Sequence, residues 1–543
     1  MRYQHQRFPF VRPPELDGSR TRVPLVIVGG GPVGLALAVD MAMHGVQSIV
    51  LDDGDSVSVG SRAICWSKRT LEIFDRLGVA DRMVAKGVTW QVGRLFHREH
   101  EVYNFDLQPE VGFKQPAFIN LQQYYVEEYL IDRAREFPGL IDLRFKSRVC
   151  DLTRTAEGVD TRVETPEGTY RLEADWLVAC DGVRSTVRER LGLAFGGRTF
   201  EERFLITDIE MKADFPPERW FWFEPPFHTG QSALLHKQPD DIWRIDLQLG
   251  PDANPETERK PESVIPRIKA IVGDRPFEVD WISVYSFQCR RLDRFVHGRV
   301  IFAGDSAHIV SPFGARGGNG GIQDVDNLAW KLAAVIQGSA TEDLIETYNE
   351  ERTHGADENI LNSARSTSFM TPKSPMETIF REEVLAMARE EPFARRLVNS
   401  GRLSLPCSLA GLALQSPDDN TFNGGLAPGS PCHDAPVRTA DGHDSWLLGH
   451  LGGDWCVLSF GKPVAAPAPV RQVVIHQTPP HTPDPDPGIA LIDHEGRVAT
   501  RYGGRDGTCY LIRPDQHVAA RFATPSQDAL TAALARGQGK TAP

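Results

Sequence analysis

The sequence lacks the features of a membrane, secreted or nucleic-acid-binding protein. Its 543 residues carry a formal net charge of -13, whereas surfaces that bind nucleic acid or anionic membranes are normally basic. The eight cysteines are dispersed without a C-x-x-C pair, a spacing that suits reduced thiols in the cytosol better than a disulfide framework or a zinc site. We therefore expect a cytoplasmic protein that binds no nucleic acid, membrane or metal.

Long apolar runs and an apolar signal segment are also missing. The first twenty residues mix arginines, acids and prolines, which predicts a surface arm. The longest uncharged stretch, residues 23–39, contains three consecutive glycines and two prolines and meets Asp40. It is short for a membrane span, and a buried strand, a turn and a helix explain it better. The chain length predicts two or three domains.

What the sequence does contain is a glycine-rich turn between a predicted strand, residues 23–28, and a predicted helix. The G-x-G-x-x-G pattern is formed by Gly29, Gly31, Pro32 and Gly34. Such glycines let the backbone approach a pyrophosphate, whose charge the helix N-terminus favours. A second predicted strand ends at Asp52, at about the spacing of an acid that binds a ribose. The pattern predicts a bound dinucleotide and leaves NAD and FAD both open.

Two later apolar runs end in an acid next to a glycine. One run ends at Asp181-Gly182 and the other at Gly304-Asp305. A glycine-rich segment, residues 314–319, follows the second run and opens a long helix whose apolar spacing predicts an amphipathic element. These motifs favour FAD over NAD.

The three motifs, in this order, resemble the signatures of the single-component, para-hydroxybenzoate hydroxylase-like aromatic monooxygenases over roughly residues 20–400. In type the chain is most similar to 3-(3-hydroxyphenyl)propionate hydroxylases. The resemblance implies bound FAD, NADH or NADPH as electron donor, and O2 as oxidant. It also implies hydroxylation of a phenolic substrate, such as a phenolic acid, through a flavin C4a-hydroperoxide.

The resemblance further implies an α/β fold with a Rossmann-like FAD-binding domain, an inserted β-sheet substrate domain and a thioredoxin-like C-terminal domain. The expected boundaries are an N-terminal arm at 1–20, the FAD-binding domain at 21–195 and 290–400, the substrate domain at 196–289, and the C-terminal domain at 425–543. Because the last domain lacks C-x-x-C, its expected role is packing or contact in a homodimer. A proline-rich stretch within it, residues 479–487, is expected to be a surface loop.

Individual site residues also follow from the resemblance. Besides the glycine turn and Asp52, the residues expected to contact the cofactor are Arg62, Gln123, Asp181, Gly182, Gly304, Asp305, Pro312, Gly317, Gly318 and Asn319. Those expected at the catalytic centre are Arg62, Pro312, Arg244 and His236. For Arg244 and His236 a partnered strand residue is an open alternative. The glycine loop departs from the family pattern at Arg316, which either holds an anionic substrate or pairs at the surface.

Two other functions share the FAD architecture. A flavin-dependent halogenase would need a tryptophan motif and an active-site lysine, and Trp220-Phe221-Trp222 matches that motif only superficially. A non-catalytic FAD-binding redox sensor would bind FAD without substrate turnover.

Overall fold

The computed structural model describes residues 3–60, 62–250, 252–312, 314–398, 403–418, 421–422, 424–478 and 488–540, so the proline-rich stretch at 479–487 lies outside the described residues. The strands are β1 (Arg22–Val28), β2 (Ser48–Leu51), β3 (Cys65–Ser67), β4 (Val88–Trp90), β5 (Val92–His97), β6 (His100–Asp106), β7 (Phe118–Asn120), β8 (Ile141–Arg144), β9 (Arg148–Arg154), β10 (Val159–Thr165), β11 (Gly168–Ala179), β12 (Gly196–Glu210), β13 (Arg219–Phe223), β14 (Ser232–Lys237), β15 (Ile242–Leu249), β16 (Glu278–Arg291), β17 (Val296–His297), β18 (Val300–Phe302), β19 (His308–Ile309), β20 (Pro436–Thr439), β21 (Asp444–Trp446), β22 (Cys456–Phe460), β23 (Arg471–His476), β24 (Ile489–Ile492), β25 (Cys509–Ile512) and β26 (Val518–Phe522). The helices are α1 (Pro32–Met43), α2 (Lys68–Arg76), α3 (Ala80–Lys86), α4 (Gln123–Ala134), α5 (Thr186–Arg190), α6 (Pro255–Glu258), α7 (Pro261–Val272), α8 (Gly317–Ile336), α9 (Asp343–Met370), α10 (Pro375–Ala388), α11 (Pro392–Leu397), α12 (Arg497–Tyr502) and α13 (Gln527–Gly537). Within the described ranges, no helix is long and apolar enough to cross a membrane.

The first sheet has the mostly parallel order that the glycine motif predicts. Its strands run β17-β18-β11-β1-β2-β8, with β1 parallel to both β2 and β11 and β18 parallel to β11. An antiparallel extension of β9 and β10 continues from β11. Because the carboxyl ends of parallel strands meet at one edge, the turns after β1, β2, β11 and β18 lie close together there.

The second sheet contains the strands predicted for the substrate domain and extends beyond its predicted boundaries of 196–289. Its order is β19-β16-β12-β15-β14-β13-β5-β6. Strands β5 and β6 belong to the segment assigned to the FAD-binding domain. They join the second sheet because β5 pairs in parallel with β13. No local pattern signals a partner that lies so far along the chain.

This second sheet has two distinct faces. Its inner face carries Phe221 and Leu234 and packs against α10 and α11. Its outer face carries Leu235 and Trp243 and packs against α7. A small sheet of β3, β7 and β4 lies between the loops of the first sheet and this inner face, because Asn120 Nδ2 donates to the backbone oxygen of Lys237 at 2.7 Å.

The third sheet forms the C-terminal domain, with strand order β21-β20-β24-β23-β22-β25-β26. Parallel β22, β23 and β24 are followed by the antiparallel pair β25 and β26. All eight cysteines are among the described residues, and none is paired with another. Burial raises the pKa of Cys456 and of Cys509 to about 12, so these thiols stay protonated and unreactive.

The N-terminal arm lies on the surface, with most of its described residues exposed, and a few of its side chains pack against the first sheet. Phe8 is only 3% exposed and stacks on Phe145 with the ring centroids 4.3 Å apart. Glu15 is buried and pairs with Arg144 at 3.0 Å. These contacts are long-range, which is why the composition of the arm does not reveal them.

Helix α8 is buried on nearly all sides, whereas its apolar spacing predicted an amphipathic helix. Its polar residues Asp324, Asp326 and Lys331 are each at most 3% exposed. They pair with neighbouring elements instead of water, as when Lys331 Nζ lies 2.7 Å from Glu351 on α9. Helices α2 and α9 and the C-terminal domain cover the side that would otherwise face solvent.

Candidate functional site

The glycine turn forms an open cradle at the start of α1. A Cβ atom on Gly29 would lie 2.4 Å from the Cys180 oxygen, and one on Gly34 would lie 1.9 Å from the Gly29 oxygen, so both positions require glycine. A Cβ atom on Gly31 would meet nothing within 4 Å. Pro32 occupies the first position of α1, where a backbone N–H is not needed. Space for a ligand therefore opens at Gly31, in front of a helix N-terminus that favours negative charge.

A methyl group at Gly31 tests this cradle. We expect Gly31→Ala to leave the melting temperature of the apoprotein unchanged, because a φ of -78° suits alanine. The variant should bind FAD about tenfold more weakly, a loss of about 1.4 kcal/mol, since the methyl group blocks the approach of the pyrophosphate. Quenching of flavin fluorescence during titration measures the affinity. Gly139→Ala is the control, because its Cβ atom also meets nothing within 4 Å; equal FAD affinity of both variants would contradict the cradle.

Carboxylates after β2 and β11 flank the glycine turn. Asp52 accepts hydrogen bonds from Gly30 N at 2.6 Å and Gly54 N at 2.8 Å. Burial raises the pKa of Asp52, and these two bonds oppose that shift. Asp181 Oδ2 accepts from Val187 N at 3.1 Å, while its buried Oδ1 has no hydrogen-bond partner among the described residues. Asp52 thus holds the turn in shape, and Asp181 offers an unused acceptor.

The turn after β18 brings another carboxylate into the same cleft. Gly304 has a φ of +65°, and its N–H donates to Asp324 Oδ2 at 2.9 Å. The neighbouring Asp305 side chain retains exposed area. Burial nevertheless raises the pKa of Asp305, while the charges of His308 and Arg62 lower it. A carboxylate that lines a deep cleft is expected to show both properties, because its side chain has exposed area while the surrounding protein reduces its hydration.

Helix α4 holds the loop that carries Arg62. Gln123 Oε1 accepts from Ala63 N at 3.3 Å, and Gln123 Nε2 donates to Glu127 Oε1 at 2.7 Å. Glu127 Oε2 in turn accepts from Ser58 N at 2.5 Å. Gln123 therefore positions the loop on both sides of Arg62, whose own side chain is exposed.

The start of α8 presents backbone N–H groups towards this cleft. Gly317 and Gly318 are half-buried and form the first positions of the helix, whose first N–H groups have no partner within it. The Asn319 side chain is fully engaged with protein, since Nδ2 donates to Cys65 O at 2.9 Å and Oδ1 accepts from Ser67 N at 2.9 Å. A contact from Asn319 to a cofactor must therefore come from its backbone.

The surroundings of three more positions that the sequence singled out are as follows. Gly182 follows β11 with a φ of +74°, and a Cβ atom there would meet nothing within 4 Å. Pro312 is exposed. Arg316 is only 4% exposed, and its Nη1 lies 3.5 Å from Asn359 Oδ1, so it does not pair at the surface as one of the two interpretations proposed.

A row of polar side chains, here called the polar row, crosses the inner face of the second sheet. From strand to strand it consists of Asp208, Arg244, His236 and Arg219. Arg244 Nε donates to Asp246 Oδ1 at 2.9 Å, and its Nη1 donates to the backbone oxygen of Arg62 at 3.0 Å. The polar row and the loop that carries Arg62 therefore belong to one site.

His236 lies in the middle of the polar row. It is 3% exposed, and its Nδ1 has no hydrogen-bond partner within the described ranges. Burial and then the charges of Arg219 and Arg244 hold the pKa of His236 well below its usual value. The imidazole is therefore neutral at neutral pH, which makes it a hydrogen-bonding group in an otherwise cationic environment.

Trp220 and Trp222 point to the opposite, outer face. Their rings pack against Phe215 at 5.6 Å and Phe96 at 5.3 Å between centroids. Both tryptophans are therefore core residues and do not line the cleft.

Comparison with known proteins decides the family. The family described as FAD binding domain matches residues 22–363, more than half of the chain. The chain belongs to this family. A flavin-dependent monooxygenase of Mycobacteroides abscessus is 32% identical over 91% of this chain and 96% of that relative.

Two further relatives carry more specific names. A 6-methylpretetramide 4-monooxygenase of Streptomyces rimosus is 30% identical over 96% of this chain and 94% of its own length. A 3-(3-hydroxy-phenyl)propionate/3-hydroxycinnamic acid hydroxylase of Mycolicibacterium gilvum is 29% identical over 92% and 89%. The chain is thus an FAD-dependent enzyme of the monooxygenase and hydroxylase type, and the predicted family resemblance is confirmed.

A solved structure shows the same fold. The flavin-dependent monooxygenase PieE, in complex with FAD and substrate, superposes with a TM-score of 0.78 over 96% of this chain and 100% of that one, at 22% identity. The cleft of the present chain fits FAD, because Gly31 leaves open space and the buried Asp181 Oδ1 has no hydrogen-bond partner among the described residues.

Sequence reasoning missed two groups in this enzyme. Asp324 on α8 accepts hydrogen bonds from His308 Nε2 at 2.7 Å and Arg352 Nε at 2.6 Å as well as from Gly304, so it braces the turn next to Asp305. No sequence pattern joins these distant residues. Arg219 was also missed, although alternation along β13 could have placed it on one face with Phe221.

Proposed function

We propose that this enzyme uses NADH or NADPH and O2 to hydroxylate a phenolic ring, and that a phenolic acid such as 3-(3-hydroxyphenyl)propionate is its substrate. The observation that carries the proposal is the hydrogen bond from Arg244 to the backbone oxygen of Arg62, which joins the polar row to the loop at the cofactor cleft. The name of the Mycolicibacterium gilvum relative supports this choice of substrate.

The cofactor contacts of this proposal follow the cleft. The residues that would hold FAD are Gly29, Gly31, Pro32, Gly34, Asp52, Arg62, Gln123, Asp181, Gly182, Gly304, Asp305, Pro312, Gly317, Gly318 and Asn319. The cradle at Gly31 would take the pyrophosphate, and Asp305 would bind hydroxyl groups of the ribityl chain. Backbone N–H groups at the start of α8 would stabilise negative charge on the flavin ring. When bound, FAD supplies the two-electron redox chemistry and the reaction with O2.

The protein's own task is to bind the phenol, orient it and exclude water. Arg244 and the neutral His236 can hydrogen-bond the phenolic hydroxyl, and polarising or ionising that hydroxyl raises the nucleophilicity of the ring. Pro312 and Arg62 border the same cleft. In the balanced reaction, NAD(P)H supplies two electrons, one oxygen atom of O2 replaces a ring hydrogen as hydroxyl, and the other leaves as water.

A panel of phenolic acids tests this function. Purified holoenzyme should oxidise NADH or NADPH faster when the correct phenol is present, and the product should gain one oxygen atom derived from isotopically labelled O2. Mass spectrometry and the ratio of product to oxidised nicotinamide measure both results. Oxidation without oxygen insertion, bound FAD without phenol-stimulated oxidation, or a halogenated product in the presence of halide would each contradict the proposal in favour of an oxidase, a sensor or a halogenase.

A further inference from the structure

Arg219 is a desolvated cation at one end of the polar row. Among the residues that the structure describes, its side chain forms no hydrogen bond or ion pair. Burial lowers the pKa of Arg219, an effect that Cys65 and Asp246 oppose and Arg244 adds to. Its side chain is nevertheless only half-buried. Arg219 therefore lines an enclosed space instead of packing into a core or reaching bulk water.

The same combination is found at Cys65, on the other side of this space. Cys65 is half-buried, yet burial raises its pKa to about 11 despite the positive charges of Arg219 and Arg244. Both side chains are therefore partly accessible although protein surrounds them, and they lie close enough to each other for their charges to interact.

The carboxylates near the polar row are engaged away from Arg219. Asp246 accepts from Arg244 Nε at 2.9 Å, and Asp208, at the far end of the row, accepts from Gln238 Nε2 at 3.3 Å. Between Arg219 and Arg244 lies His236, whose buried Nδ1 has no hydrogen-bond partner in the described part of the chain. This end of the row thus combines a cation that has no ion-pair partner among the described residues with an unsatisfied polar atom, and each is costly when it is left without a ligand.

We propose that Arg219 and His236 form an anion subsite that binds an oxyanion of the substrate, either a carboxylate or an ionised phenol. The identity of the ligand as the substrate rests on the proposed hydroxylase function. A guanidinium forms charge-assisted, often bidentate hydrogen bonds with a carboxylate, and the oxyanion would also satisfy the imidazole. Arg219 thereby selects anionic aromatic compounds over neutral ones of the same shape.

The experiment measures binding to the holoenzyme by flavin absorbance and equilibrium dialysis, without turnover. One arm compares 3-phenylpropionate with the neutral 3-phenylpropionamide. The second arm compares 4-nitrophenol above and below its own pKa. The wild type should bind the anionic form at least about tenfold more tightly than the neutral form. This preference should occur in the first arm if the oxyanion is a carboxylate and in the second arm if it is an ionised phenol. Arg219→Met should abolish that preference, and Arg219→Lys should keep part of it.

Lys237→Met is the matched control. Lys237 follows His236 directly but points to the outer face, where its Nζ lies 5.5 Å from the Trp243 ring. This variant also loses one positive charge and should keep the full preference for anions. Arg219→Met should melt at the same temperature as the wild type or higher, since it removes a desolvated cation and leaves no carboxylate unpaired.

The outcomes separate the subsite from the function. Loss of the anion preference in Arg219→Met, with the fold and Lys237→Met unaffected, supports the subsite. Equal affinity for charged and neutral compounds in both arms, no binding of either anion, or a preference that survives Arg219→Met overturns it. Anion binding without hydroxylated product from any phenol would count against the proposed function and leave the subsite standing.

Discussion

Replacing Asp305 with alanine should release FAD from the enzyme. Asp305 follows Gly304 directly after β18, and we propose that its exposed carboxylate faces the bound cofactor. Alanine removes an acceptor for the ribityl hydroxyl groups, and two hydrogen bonds to a charged group are together worth about 3 kcal/mol or more. We therefore expect the dissociation constant for FAD to rise about 100-fold or more. The flavin-to-protein absorbance ratio after gel filtration measures the loss.

Two further variants make this result specific. Asp305→Asn keeps one acceptor and should retain FAD at an intermediate affinity. Asp214→Ala removes an exposed carboxylate outside the cleft and should bind FAD like the wild type. Stoichiometric FAD in purified Asp305→Ala would show that this carboxylate does not hold the cofactor.

Replacing Glu351 with alanine should destabilise the whole enzyme by about 3–5 kcal/mol, the usual cost of removing one partner from a buried ion pair. Glu351 on α9 is 1% exposed and lies 2.6 Å from Arg513 of the C-terminal domain and 2.7 Å from Lys331 of α8. The alanine variant removes the carboxylate that Lys331 and Arg513 share, so that Arg513 keeps only Asp515, at 2.6 Å, as a carboxylate partner among the described residues. Because α8 begins at the cofactor cleft, FAD affinity should fall as well. Denaturant unfolding and FAD titration measure the two effects.

The difference in stability between the wild type and Glu351→Ala should also depend on pH. Burial opposes ionisation of Glu351, but the charges of Arg513 and Lys331 hold its folded-state pKa well below the usual value. A carboxylate with a lowered folded-state pKa stabilises the fold fully above its unfolded-state pKa and loses that contribution as the pH falls through the folded-state pKa. The stability difference between wild type and Glu351→Ala should therefore stay nearly constant from about pH 7 to about pH 5 and shrink in stronger acid. Glu350→Ala, an exposed neighbour on the same helix, is the control and should show little difference at any pH.

The residues predicted to bind the cofactor could be chosen from the sequence because their motifs are local. A Cβ atom on Gly29 would lie 2.4 Å from a backbone oxygen of the neighbouring strand, and one on Gly34 would lie 1.9 Å from a backbone oxygen of the turn itself, so both positions require glycine. A turn of this geometry therefore leaves a glycine pattern in the sequence. The acids at positions 52, 181 and 305 follow short apolar runs, and parallel strands bring such ends to one edge of a sheet. Arg62 and Gln123 came only from resemblance, and the structure shows that Gln123 positions the loop of Arg62.

The sequence by itself thus determined the class of fold and the family, and it predicts where the cofactor binds. Only the tertiary structure decided which strands complete the second sheet, which face of that sheet carries the polar row, and that the Arg219 side chain has no hydrogen-bond or ion-pair partner among the residues that the structure describes. It also showed that the charges of α8 are buried against the C-terminal domain. These features depend on pairings between distant segments, such as β5 with β13 and Glu351 with Arg513, and no periodicity within one segment records its partner in another.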